Sequence, residues 1–361
     1  MTHRMSNWTA LWLPLICAFA VAAAGEQNAL SRITLEAPNG LAIDARGDLY
    51  ISDIAAHSVF RRDRRGRLTR VAGTGEAGFG GDGGPASSAQ LNAPHDLLFD
   101  ATGNLLIADS ANHRIRRVDA RGVITTICGD GRAGGRAGYN DPVSATSLNY
   151  PQGLALDRAG NLFIADTFNH VVRRLDSQGR LTVFAGSIPG HGGDGGPAAA
   201  AQISLPMAVA VGPDGSVYIS DAGSSRIRRV APDGTIRTIA GYGPAQDTYG
   251  GGYAGDGGPA EKGKLFSATD LKCDAAGALY LVDGGNHRLR IIRQGIITTL
   301  AGTGAMGRAG DGSRAAEAAL NTPQKVAVAA DGSLFLSDRG NGAVYRIDAA
   351  GILRTVISSR H

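Results

Sequence analysis

Three sets of residues in this sequence have types and spacings that chemistry can use. Four histidines, His57, His113, His170 and His287, each stand four residues after an aspartate. Repeated imidazoles are candidate zinc ligands, but zinc needs three or four of them converging on one ion. Four aspartates, Asp82, Asp194, Asp256 and Asp311, lie in glycine-rich turns, three of which read Gly-Asp-Gly-Gly-Pro-Ala. Ca²⁺ takes six to eight oxygens, so such a turn could join a carboxylate to backbone carbonyls around it. The third set is His95, Asp96, Gln152, Asp270, Gln324 and Lys325. It combines the acid, base and amide groups that hold small polar ligands or move protons.

No Gly-x-Ser-x-Gly, His-Glu-x-x-His or Cys-x-x-Cys occurs, so nucleophilic catalysis has no motif here. Residues 73–78 and 302–307 match a dinucleotide pattern, and residues 258–264 nearly spell a phosphate loop. Each of these motifs requires a strand before it and a helix after it, and the surrounding sequence supplies no helix. Leu265 also stands where a phosphate loop needs Ser or Thr.

The elements that must position these residues come from an internal repeat. An aspartate closing an apolar run recurs as Asp53, Asp109, Asp166, Asp221, Asp283 and Asp338, every 55 to 62 residues. A proline stands fifteen residues before five of them, at Pro38, Pro94, Pro151, Pro206 and Pro323, with Ala268 in the sixth copy. Short runs rich in Val, Ile, Leu and Phe, punctuated by Asp-Gly, Ala-Gly and Arg-Gly turns, read as four strands per unit. Glycine at 53 of 361 residues, with only 19% charged residues, fits a turn-rich β protein. Six four-stranded units stacked radially make an all-β, six-bladed β-propeller. Each blade is complete from its own segment, with residues 33–36 available as an added strand.

Pro-x-Gly-Leu-Ala, Gly-Asn-Leu-Phe-Ile-Ala-Asp, Asn-His-Arg-Ile-Arg-Arg and Thr-Ile-Ala-Gly together resemble NHL repeats, and the resemblance covers residues 25–361. The Gly-Asp-Gly-Gly-Pro-Ala inserts are similar to those of bacterial NHL proteins and of teneurin NHL propellers. The resemblance implies four-stranded blades and, for most such propellers, binding of other macromolecules. It also admits enzymes, including a zinc-dependent amidating lyase of related architecture with a three-histidine site.

The propeller decides between readings of the candidate residues. Six-fold geometry spreads the four repeated histidines around a rim, which makes them structural. The repeat aspartates read as Asx-type turn formers, and Asp166→Ala is expected to cost on the order of 1 to 2 kcal/mol. The arginines of the third strands, among them Arg116, Arg173, Arg228 and Arg290, are expected to cover blade surfaces with their stems while meeting acids. Channel-mouth candidates are His95, Asp96, Gln152, Asp270, Gln324 and Lys325, near the start of the innermost strands. With one histidine there, the three-histidine zinc arrangement is not reproduced, so no metal is assigned and no cofactor is expected, Ca²⁺ being the one candidate. Connections of about twenty residues exceed the usual 2 to 6 and gather on one rim, forming a crown that adds no strand. Asp82, Asp194, Asp256, Asp311, Tyr249 and Tyr253 are its candidate contact residues. The expectation is a binding or scaffolding module taking a protein or glycan on this face, with a metal-dependent lyase or hydrolase at the channel mouth as the alternative.

Residues 1–24 read as a secretory signal: Arg4, an apolar run from Ala10 to Val21, then Ala22-Ala23-Ala24. The chain is therefore expected to be secreted or periplasmic, without a stable membrane span after processing, and monomeric. The formal net charge is +4, and removal of Arg4 lowers it by one. That is no nucleic-acid footprint. Cys128 and Cys273 fall in different blades, so no disulfide is expected between them.

Overall fold

A computed structural model describes residues 34–134, 147–242 and 252–359. They form six antiparallel sheets, each built from strands consecutive in sequence. Blade three shows the pattern: Pro151–Leu156 innermost, then Leu162–Asp166, Val171–Leu175 and Leu181–Ala185 outermost. The innermost strands of the other blades are Pro38–Ile43, Pro94–Phe99, Pro206–Val211, Ala268–Cys273 and Pro323–Val328. Each packs against the innermost strand of the next blade, and the sixth packs against the first. The ring closes without strand exchange. Residues 34–37 form no strand; instead the Glu36 and Ala37 amides donate to Asp53.

The apolar second strands explain why the blades stack. Leu105–Asp109 and Leu162–Asp166 are buried along their whole length because a neighbouring sheet covers each face. The core is accordingly divided into six clusters, each shared by two adjacent blades. Ile107, Ile164 and Ile219 are fully buried in three of them, and each contributes roughly 1.5 to 3 kcal/mol by leaving water. Near the axis the approach is close: a Cβ at Gly40 would lie 2.1 Å from the His95 carbonyl, and one at Gly153 2.6 Å from the Ala208 Cα.

Two features of the innermost and outermost strands bear on function. Every innermost strand carries a register shift near its first residues. Such bulges re-aim side chains, here the residues one and two positions after the starting proline. The long connections differ from the expected crown. The insert before blade two runs along that blade's outer strand: the Gly83 amide donates to the Ile124 carbonyl (2.8 Å), Ala86 to Gly122 (2.8 Å), and Ile124 back to Gly84 (3.0 Å). The inserts before blades four, five and six repeat this, through Gly195 to Ile236, Gly257 to Ile297 and Gly312 to Leu353. In blade five the pairing is regular enough that Gly258–Pro259 forms a fifth strand. Glycine amides unshielded by side chains reach the exposed edge of the outer strand, so the inserts become straps that protect it.

Cys128 and Cys273 are both free. Burial pushes their thiols up to about 12 and about 11. Among the described residues no helix is long and apolar enough to cross a membrane. The signal reading for residues 1–24 lies outside the described residues.

Candidate functional site

The repeat aspartates are anchors buried in each blade. Asp109 accepts the Asn92 amide (2.7 Å), the Asn112 carboxamide (2.8 Å) and the Arg116 guanidinium (3.2 Å). Asp166 does the same with Asn149 (2.6 Å), Asn169 (2.8 Å) and Arg173 (2.6 Å). One carboxylate thus ties the start of the blade to its second and third strands. Burial raises the Asp109, Asp166 and Asp283 carboxyls above the ordinary value and pushes Asp221 up to about 6.

Their arginine partners are not on the surface. Arg116, Arg228 and Arg290 are fully buried and Arg173 nearly so. They meet acids as expected, but inside the blade and not on its surface, because a second acid waits on the strap. Arg116 reaches Asp82 (2.7 Å), Arg228 reaches Asp194 (2.7 Å), and Arg290 reaches Asp256 (2.7 Å). Each strap aspartate also accepts an outer-strand amide, from Thr126 (3.1 Å), Thr238 (2.9 Å) and Thr299 (3.0 Å). A guanidinium shared by two carboxylates in a buried setting has strong geometric demands. It fixes the strap against the blade. In blade six the arginine's place is taken by Tyr345, and Asp311 accepts the Thr355 amide (2.5 Å). All four strap aspartates therefore face a blade's donors, and three of them face an arginine.

The repeated histidines clasp neighbouring blades. His57, His113, His170 and His287 sit in the left-handed region, with φ between 46° and 58°. Their Nδ1 atoms accept the amides of Ala93, Tyr150, Leu205 and Thr322, each 3.1 Å away at the start of the next blade. An accepting Nδ1 is an unprotonated one, so these clasps require neutral imidazole.

Of the channel-mouth candidates, the structure brings Asp96, Asp270 and Lys325 together on the axis. Lys325 Nζ lies 3.3 Å from Asp270 and 3.6 Å from Asp96, which come from opposite blades. Lys272, absent from the sequence reading, completes the group at 3.8 Å from Asp270 and 3.9 Å from Asp96. Its signal was its position: the other blades carry Ala42, Leu98, Ala155, Ala210 and Ala327 there. Burial alone would raise Asp96, but Lys272, Lys325 and two backbone amides hold it below its ordinary value. Two acids and two amines thus form a charge-balanced plug. Asp96 and Asp270 also accept the amides of Leu154 and Val326 in the next blades, so the plug locks blades as well.

His95, Gln152 and Gln324 are each the second residue of an innermost strand, one position before the register of Asp96, Asp270 and Lys325. His95 is 7% exposed, its Nδ1 lies 3.0 Å from the Ala93 carbonyl, and burial together with Lys325 and Arg339 pushes it down to about 4. Nδ1 is thereby assigned as the donor, which leaves Nε2 an acceptor. The ring stands 5.2 Å from Tyr150, which stands 5.3 Å from the exposed Phe168. Gln324 donates to the Thr322 carbonyl (3.1 Å), and Gln152 is half-buried. Asn39, at the matching position of blade one, is 1% exposed, and neither of its carboxamide atoms has a partner. Among the described residues no three His, Cys, Asp or Glu side chains converge as a metal group.

Exposed aromatic and aliphatic side chains mark the strap-bearing rim. Phe79 lies under Arg114, 3.7 Å from guanidinium carbon to ring centre, and Tyr253 lies under Arg288 at 3.6 Å. Both stand three residues before a strap aspartate. His191 and Arg308 hold the same place in the other two straps. The Tyr253 hydroxyl donates to Asp256 (2.6 Å). Tyr249 lies outside the described residues.

The family described as the Teneurin NHL domain matches residues 303–361. Teneurin-3 of Mus musculus is 30% identical over 284 residues, which is 68% of this chain, and Teneurin-1 of Mus musculus is 29% identical over 290 residues. The chain spans about one tenth of the length of these relatives. Among solved structures, virginiamycin B lyase from Staphylococcus aureus shares 15% identity, with a TM-score of 0.53 and coverage of 91% of this chain and 88% of that one. An auxiliary nutrient binding protein from Bacteroides thetaiotaomicron shares 17%, with a TM-score of 0.62 and coverage of 89% and 70%. At such identities the likeness is one of fold, and the fold carries both a lyase and a binding protein.

Proposed function

This chain is an NHL-repeat β-propeller, and on that premise we propose that it is an exported binding and scaffolding module whose contact surface is the strap-bearing rim. The observation that carries this reading is where apolar surface is left in water. Among the described residues Phe79, Phe168, Ile188, Tyr242, Tyr253 and Met306 are large, apolar and exposed, and all six lie on this rim, with Ile296 the exception elsewhere. Aromatic residues and methionine standing among arginines are the composition of a protein-binding surface. The straps beneath hold these side chains on a rigid base, which lowers the entropy lost on contact. The likeness to the teneurin NHL domain supports a protein-interaction module. The test is a Phe79→Ser, Phe168→Ser, Tyr253→Ser variant, compared with the parent for partner retention from periplasm or culture medium. Loss of retention at an unchanged melting temperature supports the rim, and full retention overturns it.

A second reading rests on Asn39. A buried carboxamide with both atoms unpaired is costly unless something fills the space, and it stands at the mouth ring with His95. A small-molecule site, and with it a lyase or hydrolase, is the alternative there. Metal analysis of the purified protein separates the two: one equivalent of zinc, lost in His95→Ala, promotes the enzyme.

A further inference from the structure

Blade one uses arginine differently from its neighbours. Residues 61–70 hold six arginines and one aspartate, a surplus of five charges, while the whole chain has a surplus of four. The rest of the molecule is close to neutral. In blades two to five the seventh residue after the repeat aspartate is the buried arginine; in blade one it is Phe60, 5% exposed in an apolar cluster. No arginine of this segment is spent on the blade's interior. Arg67 lies 3.5 Å from Asp63 and Arg61 3.9 Å from Asp48, while Arg62, Arg64 and Arg65 pair with no acid among the described residues. The Arg61 Nε is buried and has no acceptor.

Two clefts flank this blade on the rim of short turns, and strap residues Pro85 and Ser87 help to line the first. One, of about 850 Å³ between blades one and two, is lined by Arg46, Arg61, Arg70 and Arg121. Its apolar side is the edge-to-face pair of Tyr50 and Phe99, with centroids 4.9 Å apart. The other, of about 840 Å³ between blades six and one, is lined by Arg46, Arg62 and Arg64, with Phe335 on its apolar side. Arg46 lines both, and of the acids lining them Asp44 pairs with Arg46, Asp63 with Arg67, Asp119 with Arg121 and Asp331 with Arg346, while Asp100 accepts from Thr102 and Asn104.

We propose that blade one is a binding site for an acidic polysaccharide, its carboxylate or sulfate groups held by Arg62, Arg64 and Arg65 and its sugar rings laid into the flanking clefts. Guanidinium groups take oxyanions through paired N–H donors. The half-buried faces of Tyr50, Phe99 and Phe335 suit the C–H faces of pyranose rings better than they suit a flat lipid surface. The described residues of this patch include no exposed large apolar side chain that would enter a bilayer. The long, two-sided arrangement of charge around a ridge fits a linear chain. The site shares Pro85 and Ser87 with a strap but none of the residues substituted in the rim test, so either reading can fail alone.

The experiment measures binding of the full chain to heparin, to polygalacturonate, to single-stranded DNA and to vesicles of phosphatidylserine and phosphatidylcholine, at two salt concentrations. The test variant is Arg62→Gln, Arg64→Gln, Arg65→Gln. The control is Arg117→Gln, Arg132→Gln, Arg158→Gln, which removes the same charge from exposed positions elsewhere. The expected result is salt-sensitive binding to at least one of the two glycans, weakened about tenfold or more in the blade-one variant and little changed in the control. The proposal is overturned if the parent binds neither glycan, if both variants weaken equally, or if DNA or vesicles bind and the glycans do not.

Discussion

Blades two and one start from the same repeat and put arginine to opposite uses. In blade two Arg116 is fully buried between Asp109 and Asp82, and the strap bearing Asp82 is bonded along the outer strand. In blade one Phe60 fills that place, and the arginines that follow stay at the surface. The difference lies in what a charge finds within reach. A guanidinium enclosed by two carboxylates and the carbonyls of Gly80 and Gln90 loses water but gains a full set of acceptors. Without such partners burial is prohibitive, and the charge stays outside, free to meet something else.

The largest effect should come from breaking the buried set. Arg116→Ala strands Asp109 and frees the strap, and should cost about 3 to 5 kcal/mol in denaturant unfolding. The same reasoning raises the expectation for Asp166→Ala above the 1 to 2 kcal/mol of a lost turn bond, since Arg173 would be left buried without its acid. A cost near 1 kcal/mol for Arg116→Ala would mean that the strap is held by its backbone alone.

Blade six sharpens the comparison because it keeps the acid and lacks the arginine. Burial pushes Asp338 up to about 7 from an ordinary 3.8. A raised carboxyl stabilises the fold while it is protonated, and that contribution is lost as pH rises from about 4 through 7. Relative to Asp338→Asn, the parent should therefore lose about 2 to 4 kcal/mol across this window, read as the difference in melting temperature at each pH. A constant difference would show that Asp338 stays ionised throughout.

The inter-blade clasps should be worth less. His113→Ala removes one hydrogen bond to the Tyr150 amide and should cost about 1 kcal/mol at neutral pH. Burial lowers the His113 imidazole, so its contribution is complete above the ordinary histidine value and lost as pH falls below it. The gap between parent and variant should narrow from about pH 6.5 downward. Least affected should be the blade-one variant Arg62→Gln, Arg64→Gln, Arg65→Gln, whose stability should stay within about 0.5 kcal/mol of the parent. A larger loss would place those arginines in the architecture after all.

The propeller was legible because its signals are local and repeated: an aspartate at the end of each second strand and, in five of the six copies, a proline fifteen residues before it. The straps were harder to read, since backbone amides of Gly83 and Gly195 make their contacts and leave no hydrophobic pattern. One clue was available. Asp82 precedes Arg116, Asp194 precedes Arg228, and Asp256 precedes Arg290 by the same 34 residues, a pairing that one blade alone would not reveal. The axial plug was half legible. Asp96, Asp270 and Lys325 share a register position next to the bulge, whereas Lys272 lies two residues further on and joins them only because the ring closes to a few ångströms there.

Amide hydrogen exchange tests most directly whether the long connections are part of the architecture. The Gly83, Gly195, Gly257 and Gly312 amides each donate to an outer-strand carbonyl at 2.8 Å. They should therefore exchange slowly, with protection comparable to the second-strand amides of the same blades, and that protection at Gly83 should vanish in Arg116→Ala. Exchange of these four amides at the rate of an unstructured peptide in the parent protein would contradict the account and return the connections to being free loops.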